Sequence, residues 1–183
     1  MIREVRLSDG WVLIKPHGPD YLDQVYEAVL ESRAELMLWM PWIHADYSIK
    51  DTREWLKARP EAWEQGTDYA FAIFDCQDGF FLGSCGLNHI NRDDGFANLG
   101  YWVRTDRVRR GAATAAARLL ARFGFEELKL NRIEIVVATG NKASQRVADK
   151  VGATREGVLR NRIVVRDKVY DAVMFSLIPH DLL

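Results

Sequence analysis

The sequence has few of the residues that mark several large classes of protein. Its 183 residues include only two cysteines, Cys76 and Cys85. Both lie in apolar runs, so core thiols are favoured over a catalytic cysteine, and a metal site would need more ligands than they supply. The four histidines are scattered and form no ligand-spaced cluster. We therefore expect a protein without a bound metal.

Long apolar runs and an excess of charge of one sign are also missing. No apolar run is long enough to cross a bilayer, and the formal net charge is only −1. We therefore expect no general attraction to nucleic acid or to an anionic membrane, and neither is predicted as a partner. Because residues 1–9 are polar and charged, we expect no signal peptide and a cytoplasmic protein.

Two common phosphate-binding sequences are absent as well. The glycine-containing turn at 109–114 lacks the Gly-Lys-Ser/Thr ending of a Walker loop. It also lacks the second glycine of the dinucleotide fingerprint, and no acidic residue ends the next strand. A Walker-type loop is thus excluded, and a Rossmann-type dinucleotide site has no support.

What the sequence does contain is a basic, small-residue turn, 109–114, between an apolar strand and a long alanine-rich helix. Such a junction directs several backbone N–H groups and the positive end of the helix dipole at one point, which suits a pyrophosphate. A second strand-to-helix junction follows at 141–144, so the two junctions suggest one ligand with phosphates at the first and a reacting end near the second. Taken alone, the first turn is about equally compatible with an ordinary helix start carrying solvated arginines.

The periodicity predicts one α+β domain that spans residues 1–183, without internal repeats or low-complexity linkers. Helices are predicted at 19–33, 48–65, 111–128 and 141–151. Strands are predicted at 11–15, 69–75, 80–90, 96–103, 132–139, 154–165 and 169–177. Most of the sheet is antiparallel with helices on both faces, while 96–103 and 132–139 lie parallel across the long helix.

Several of these segments, taken in their order and spacing, resemble the GNAT N-acetyltransferases. The segments are Gly100-Tyr101-Trp102-Val103, Arg110-Gly111-Ala112-Ala113-Thr114, Asn141-Lys142-Ala143-Ser144, Val147, Lys150, Val151-Gly152-Ala153 and Glu156-Gly157. Within that family the chain is most similar to the RimJ/RimL type, which acetylates ribosomal-protein N-termini. The resemblance covers nearly the whole chain, but it is weak before residue 66. It implies the GNAT (acyl-CoA N-acyltransferase) fold, with a seven-stranded mixed sheet whose central parallel pair splays apart to hold CoA.

The resemblance also implies acetyl-CoA as co-substrate, with no metal. The parallel strands would separate at a bulge in the first of them, and backbone groups of Trp102, Val103 and Arg104 would hold the pantetheine. The turn would bind the pyrophosphate through the amides of Arg109, Arg110, Gly111, Ala112, Ala113 and Thr114. The side chains of its arginines and of Arg104 either neutralise phosphates or are simply solvated.

Ser144 and Asn141 are the candidate catalytic residues, and they would also contact the cofactor. In the family pattern the serine faces the thioester sulfur, while Asn141 caps the helix and touches the pantetheine arm. A hydroxyl bonded to the sulfur stabilises the departing thiolate and can pass it a proton. The alternative is that Ser144 merely belongs to the helix cap.

A general base is not apparent at the positions where the family tends to carry glutamate. Residues 162–164 and Asn98 stand there instead. His89 is a candidate base and substrate contact, although an ordinary histidine and a water chain to solvent are simpler alternatives. At pH 7 about a tenth of an α-amine is neutral, against less than about one part in a thousand of a lysine, so a weakly basic amine is the easier nucleophile.

The acceptor is expected to contact aromatic residues in the first third of the chain. Trp39 and Trp42 are the preferred contacts, because Pro41 between them stops the segment from continuing as a helix. A place in the core is the alternative for each tryptophan. Trp55 is expected on the inner face of its helix, with Asp51 as a possible cap. Three acidic side chains could attract a cationic amine: Asp46, Asp51 and Glu54.

We therefore expect an N-acetyltransferase that moves an acetyl group from acetyl-CoA to a primary amine by direct attack in a ternary complex. The amine would belong to a protein N-terminus or to a small molecule. One alternative is a GNAT-fold acyl-CoA-binding module with little or no turnover. Another is a nucleic-acid binder that uses the cluster at 104–110, which the rest of the composition disfavours. Homodimerisation through the terminal hairpin is compatible with the sequence.

Overall fold

In the computed structural model, which describes residues 5–182, the strands form one mixed sheet with α-helices on both of its faces. The strands are β1 (Leu7–Ser8), β2 (Val12–Pro16), β3 (Tyr69–Asp75), β4 (Phe81–Asn91), β5 (Phe96–Val103), β6 (Arg132–Ala138), β7 (Thr154–Val165) and β8 (Lys168–Leu177). The helices are α1 (Leu22–Glu31), α2 (Arg33–Trp39), α3 (Ile49–Gln65), α4 (Ala112–Glu126) and α5 (Lys142–Val151). The strand order is β1-β2-β3-β4-β5-β6-β8-β7. Only β5 and β6 are parallel neighbours within the described residues.

The sheet has one strand more than the seven that were expected. The additional strand, β1, contains only two residues and pairs with Leu13 and Ile14 of β2. The carboxylate of Asp9 shapes the turn between them by accepting from the N–H groups of Trp11 and Val12, at 3.0 and 2.9 Å. A strand this short shows no alternation of apolar and polar residues, so its sequence carries no signal.

The first predicted helix, 19–33, begins as a 3₁₀ turn and ends at Glu31, and a helix that was not predicted follows it. A 3₁₀ turn at Pro19–Tyr21 precedes α1, and Ser32 separates α1 from α2. Ser32 is buried, and its hydroxyl accepts a 3.0 Å hydrogen bond from the N–H of Thr105. The apolar segment before Pro41 is thus helical up to Trp39, and the chain becomes extended only at Met40.

Helix α3 has well-defined ends. Asp51 is not the capping residue but the third helical residue of a capping box, since its carboxylate accepts from the N–H and the hydroxyl of Ser48, both at 2.8 Å. The helix ends as expected at Gly66, which is left-handed with φ 64°. Trp63 packs edge-on against Tyr69 in the core, with ring centroids 5.0 Å apart.

The main core lies between α4 and the central strands. Small buried residues of α4, among them Ala116 and Ala117, let the helix approach the sheet closely. The approach is tightest at Gly124, where an added Cβ would lie 2.8 Å from Cδ1 of Ile133. A second core on the opposite face buries Val25 of α1. Close packing against the sheet holds α4, and therefore its first turn, in place.

The parallel pair of strands separates after a short contact. β5 and β6 pair only from Phe96 to Asn98 against Arg132 to Glu134, and both strands then continue without pairing to each other. The expected bulge lies in the neighbouring strand β4 rather than in β5. Pairing passes from Asn88 with Asn98 to Asn91 with Phe96, so β4 carries one extra residue, and His89 is left-handed with φ 49°.

Candidate active site

The separation of β5 and β6 opens a cavity of about 600 Å³. Both strands and the start of α5 form one side of it, and aromatic residues between α2 and α3 form the other. The residues that line the cavity include Trp39, Trp42, Tyr47, Asp51, Trp55, Asp68, Ser84, Cys85, Asn88, His89, Asn98, Tyr101, Trp102, Asn141 and Ser144. The cavity brings together every predicted catalytic and acceptor-binding residue.

The start of α4 presents a row of unbonded backbone donors. Arg109 and Gly111 are left-handed, with φ 65° and 89°, so the chain turns sharply into the helix. Within residues 5–182 no group accepts a hydrogen bond from the N–H groups of residues 109–114, and the first bonded amide is that of Ala115, 3.0 Å from the carbonyl oxygen of Gly111. Free amides at a helix N-terminus are a ready site for an anion such as a pyrophosphate.

Arg104 has a different role from the one expected. Its N–H donates to the carbonyl of Leu82 at 2.9 Å, and its own carbonyl accepts from the N–H of Arg107. Its guanidinium is buried, bonds to Asp106 at 3.0 Å and lies 3.5 Å from Glu27. Because backbone and side chain are both engaged within the protein, Arg104 is a structural residue and is poorly placed to hold pantetheine or phosphate.

Along β5, only every second residue directs its backbone N–H and C=O groups into the gap between β5 and β6. The N–H of Arg104 points to β4, and the direction of the backbone groups alternates from one residue to the next along a strand. The backbone groups of Trp102 therefore also point to β4, whereas those of Tyr101 and Val103 point into the gap. Of the three predicted pantetheine contacts, Val103 alone thus directs its backbone into the cleft. The indole of Trp102 instead lines the cavity, 6.3 Å between centroids from Trp42.

Ser144 is held at the first turn of α5 by two neighbours. Its N–H donates to the side-chain oxygen of Asn141 at 3.1 Å, which is the predicted helix cap. The hydroxyl of Tyr101 donates to the carbonyl of Ser144 at 2.9 Å and lies 3.1 Å from its Oγ. Burial raises the pKa of Tyr101 to about 12, so its phenol keeps its proton at neutral pH.

The role of Tyr101 was missed in the sequence, where it figured only as part of a motif. A signal was available, because Tyr101 approaches the end of β5 and Ser144 follows β6. The carboxyl ends of neighbouring parallel strands meet at one edge of a sheet, so residues in these two places are brought together.

Among residues 5–182, no carboxylate hydrogen-bonds to Ser144. Asn88 and Asn98, which bond to each other at 2.9 Å, line the cavity from β4 and β5. His89 is exposed at the bulge and lines the same cavity. Cys85 is buried, and burial raises the pKa of its thiol, so it stays protonated. Within residues 5–182 no group of side chains is arranged to hold a metal ion, and no helix is long and apolar enough to cross a membrane.

The acceptor side of the cavity is aromatic. Trp39 and Trp42 both line it, as predicted, and Trp42 remains 41% exposed. Trp55, expected on the inner face of its helix, is exposed instead, and it lines the cavity and contacts His17 edge-on, with centroids 4.7 Å apart. Of the three predicted acidic residues, Asp51 alone reaches the cavity.

Comparison with known proteins accounts for this arrangement. A family model described as "Acetyltransferase (GNAT) domain" matches residues 12–154. The chain belongs to the GNAT acetyltransferases. It is an N-acetyltransferase that uses acetyl-CoA, which confirms the expected fold, activity and co-substrate.

Individual relatives support the RimJ/RimL resemblance. YdaF of Bacillus subtilis (strain 168), provisionally named a ribosomal N-acetyltransferase, is 35% identical over 171 residues, which cover 93% of this GNAT chain and 92% of YdaF. A Vibrio cholerae structure provisionally described as a ribosomal-protein-serine acetyltransferase is 27% identical, with a TM-score of 0.85 over 98% of this chain and 100% of that one. Mycobacterium smegmatis RimJ, solved with CoA-disulfide, shares the fold at a TM-score of 0.86 and 22% identity, over 97% and 88% of the two chains.

Proposed function

We propose that this acetyltransferase acetylates a weakly basic primary amine, a protein N-terminal α-amine before all others, by direct attack in a ternary complex. The unbonded amides at the start of α4 carry this proposal. They offer a binding site for the diphosphate of acetyl-CoA, from which its thioester would extend along β5 to Ser144. The pantetheine would pair with the open edge of β5 at Tyr101 and Val103, while the exposed Arg109 and Arg110 stand beside the phosphates.

The chemistry requires one bond to form and one to break. The neutral amine attacks the thioester carbon, the new C–N bond forms, and the C–S bond breaks as the thiolate leaves. The hydroxyl of Ser144 donates a hydrogen bond to the sulfur and passes it a proton, and solvent returns a proton to the serine. The proton released by the amine passes to water or to His89. Asn141 holds the serine by its N–H and contacts the pantetheine arm.

Two observations support an α-amine as the acceptor. Asn98, which bonds to Asn88 in the cavity, stands where the family tends to carry a glutamate that could deprotonate a lysine. In addition, YdaF and the Vibrio cholerae protein carry names that point to ribosomal proteins. A ribosomal-protein N-terminus, bound against Trp39 and Trp42, is accordingly the proposed natural acceptor in the cytoplasm.

We further propose that the chain is one domain that dimerises through the hairpin of β7 and β8. One continuous sheet joins all the described strands, which supports a single domain. β7 is an edge strand, and the hairpin exposes Val158, Val164 and Val169. Sedimentation of the protein over a range of concentrations tests this assembly.

A matched pair of peptides tests the acceptor. One carries a free N-terminal serine and no lysine, and the other has the same sequence with a blocked N-terminus and one added lysine. The initial rate of thiol release from acetyl-CoA should be at least about tenfold higher for the first, because its amine is far more often neutral. A preference for lysine would overturn the proposed acceptor, and CoA binding without thiol release would favour a binding module.

A further inference from the structure

One corner of the cavity has a chemistry that acetyl transfer itself does not require. This aromatic corner consists of Trp42, Tyr47, Asp51 and Trp55. Trp42 and Tyr47 lie 5.9 Å apart at 57°, and the hydroxyl of Tyr47 is held by Thr52 at 2.8 Å. Asp51 and Trp55 are one helical turn apart on α3, so they share one face of that helix. The rings of Trp42 and Tyr47 and the carboxylate of Asp51 thus line one part of the cavity, and the ring of Trp55, whose centroid lies 4.7 Å from the guanidinium of Arg59, lines it beside them.

The charge in this corner is negative. The hydrogen bonds from Ser48 lower the pKa of Asp51, so its carboxylate is ionised at neutral pH. The second carboxylate of the cavity, Asp68, is paired with Arg59 at 2.9 Å and leaves little net charge. No lysine or arginine side chain lines the cavity within the described residues. An anionic ligand would therefore be repelled here.

The rings are also unusually exposed. Trp42 and Trp55 are 41% and 36% exposed, although Trp63 of the same helix as Trp55 is packed in the core. Indole faces beside an ionised carboxylate attract a cation, since the ring quadrupole and the carboxylate act in the same direction. A neutral apolar group would cover the rings but would add no charge opposite Asp51, whose Oδ1 lies 3.5 Å from Nε2 of the exposed His44.

We propose that the aromatic corner binds a second cationic centre of the acceptor, distinct from the amine that is acetylated. This inference rests on the proposed function only in placing the acceptor in this cavity. The reacting nitrogen must be neutral to attack, and a strong cation site would hold it protonated. That nitrogen approaches the thioester at Ser144, on the α5 side, whereas the corner lies on α3.

Choline and its neutral isostere 3,3-dimethylbutan-1-ol test the corner without any acetyl transfer, because neither carries a primary amine. Titration calorimetry should show choline binding about tenfold tighter than the neutral alcohol. In the protein labelled with ¹⁵N at its tryptophan side chains, choline should shift the indole signals of Trp42 and Trp55. The signal of buried Trp63 should stay in place.

Four variants separate the effect of charge from the effect of shape. Asp51→Asn keeps an oxygen for the cap of α3 and should abolish the preference for choline. Trp42→Leu should lose most of the binding, and Trp42→Phe should retain part of it. Glu54→Gln removes a charge from the same helix outside the cavity and should change nothing. Thermal melting of all four variants establishes that each is folded.

Transfer assays then identify the source of the cation. In one arm an α,ω-diamine is compared with a monoamine of equal length, and in the other a peptide with lysine at position two is compared with its norleucine analogue. The arm with at least about tenfold higher kcat/KM for the cationic member identifies the acceptor class.

Equal affinity for choline and its isostere would contradict a cation site in the aromatic corner, even if acetyl transfer is efficient. Conversely, a choline preference without thiol release from any amine would leave the corner intact and overturn the proposed function. Equal transfer rates within both arms would contradict a second cationic centre on the acceptor.

Discussion

The phenolic oxygen of Tyr101 lies 2.9 Å from the carbonyl oxygen and 3.1 Å from the Oγ of Ser144. This contact crosses the gap where β5 and β6 diverge, and it joins the strand that would carry pantetheine to the helix that carries the proposed acid. The raised pKa of the phenol keeps its proton available as a donor. Tyr101 therefore orients Ser144 without needing to ionise.

Replacing Tyr101 by phenylalanine should lower kcat about tenfold, because the hydroxyl that orients Ser144 is lost, and Ser144→Ala should lower kcat about a hundredfold. KM for acetyl-CoA should change little in either variant. The double variant should be no worse than Ser144→Ala, since Tyr101 acts through the serine.

Tyr21→Phe is the matched control, because Tyr21 packs against Phe74 outside the cavity. Steady-state kinetics with both substrates decide the matter. Additive losses in the double variant would mean that Tyr101 acts independently of Ser144.

Gly111→Ala should weaken acetyl-CoA binding about tenfold, because φ of 89° is strained for any side chain and the chain must shift the amides that hold the diphosphate. Space is not the obstacle, since an added Cβ would meet only Trp11, at 3.7 Å. Calorimetric titration with CoA measures the effect.

Gly10→Ala provides the control for backbone strain, because Gly10 has φ of 91° and open space around it. Both variants should lose similar stability, of about 1 kcal/mol. A CoA affinity unchanged by Gly111→Ala would contradict the assignment of the phosphate site.

Acid should destabilise the fold partly through His17. Burial, helped by the charge of Arg59, lowers the pKa of this histidine to about 3 from 6.5. As the pH falls below 6.5, His17 binds a proton in the unfolded chain but not in the folded protein. The free energy of unfolding should then fall by up to about 1.4 kcal/mol per pH unit, until His17 itself protonates near pH 3.

His17→Gln keeps a donor for the hydroxyl of Ser84, which lies 2.9 Å from Nε2, and should remove this slope. His180→Gln, at an exposed position, should leave it unchanged. Urea unfolding across this pH range measures both, and an undiminished slope in His17→Gln would rule out the assignment.

Glu156 should stabilise the edge of the sheet in a second pH window. Hydrogen bonds from Arg132, at 2.6 Å, and then from Ser176, at 2.7 Å, lower the pKa of this carboxyl to about 2 from 4.5. A lowered folded pKa means that the stabilisation is complete above 4.5 and is lost as the pH falls towards 2.

Glu156→Gln should therefore cost about 1 kcal/mol at neutral pH, a figure reduced for the solvent screening of a partly exposed pair. Its stability should converge with that of the wild type near pH 2. Glu127→Gln, an exposed carboxylate after α4, is the control and should cost nothing measurable. Persistence of the full difference at low pH would show that packing, not charge, holds Glu156.

Periodicity and turn chemistry were sufficient for most of the fold. Gly66 ended α3 and Asn141 capped α5 because these residues favour such backbone conformations by their own chemistry. The missed elements were those whose cause is distant. Helix α2 begins directly after Ser32, whose hydroxyl bonds to Thr105, a residue far away in sequence. β1 exists only because β2 offers it an edge.

The candidate site also has parts that the sequence predicts and parts that it does not. The amides at 109–114 were predictable, because a helix start leaves its N–H groups unbonded wherever it lies. Arg104, by contrast, is not available to a ligand, because its side chain lies against Glu27 of a different helix and its N–H donates to the carbonyl of Leu82. Such partners become neighbours only when the sheet is assembled.

By itself, the sequence determined the family, the order of the longer strands and helices and the polar turn that precedes α4, because each depends on residues close together in the chain. Only the tertiary structure decided that Tyr101 supports Ser144, that the bulge falls at His89 and that Trp42, Asp51 and Trp55 share one corner. These contacts form between segments that the chain separates. Their geometry is set by how far two strands diverge and how closely helices pack, which no local pattern encodes.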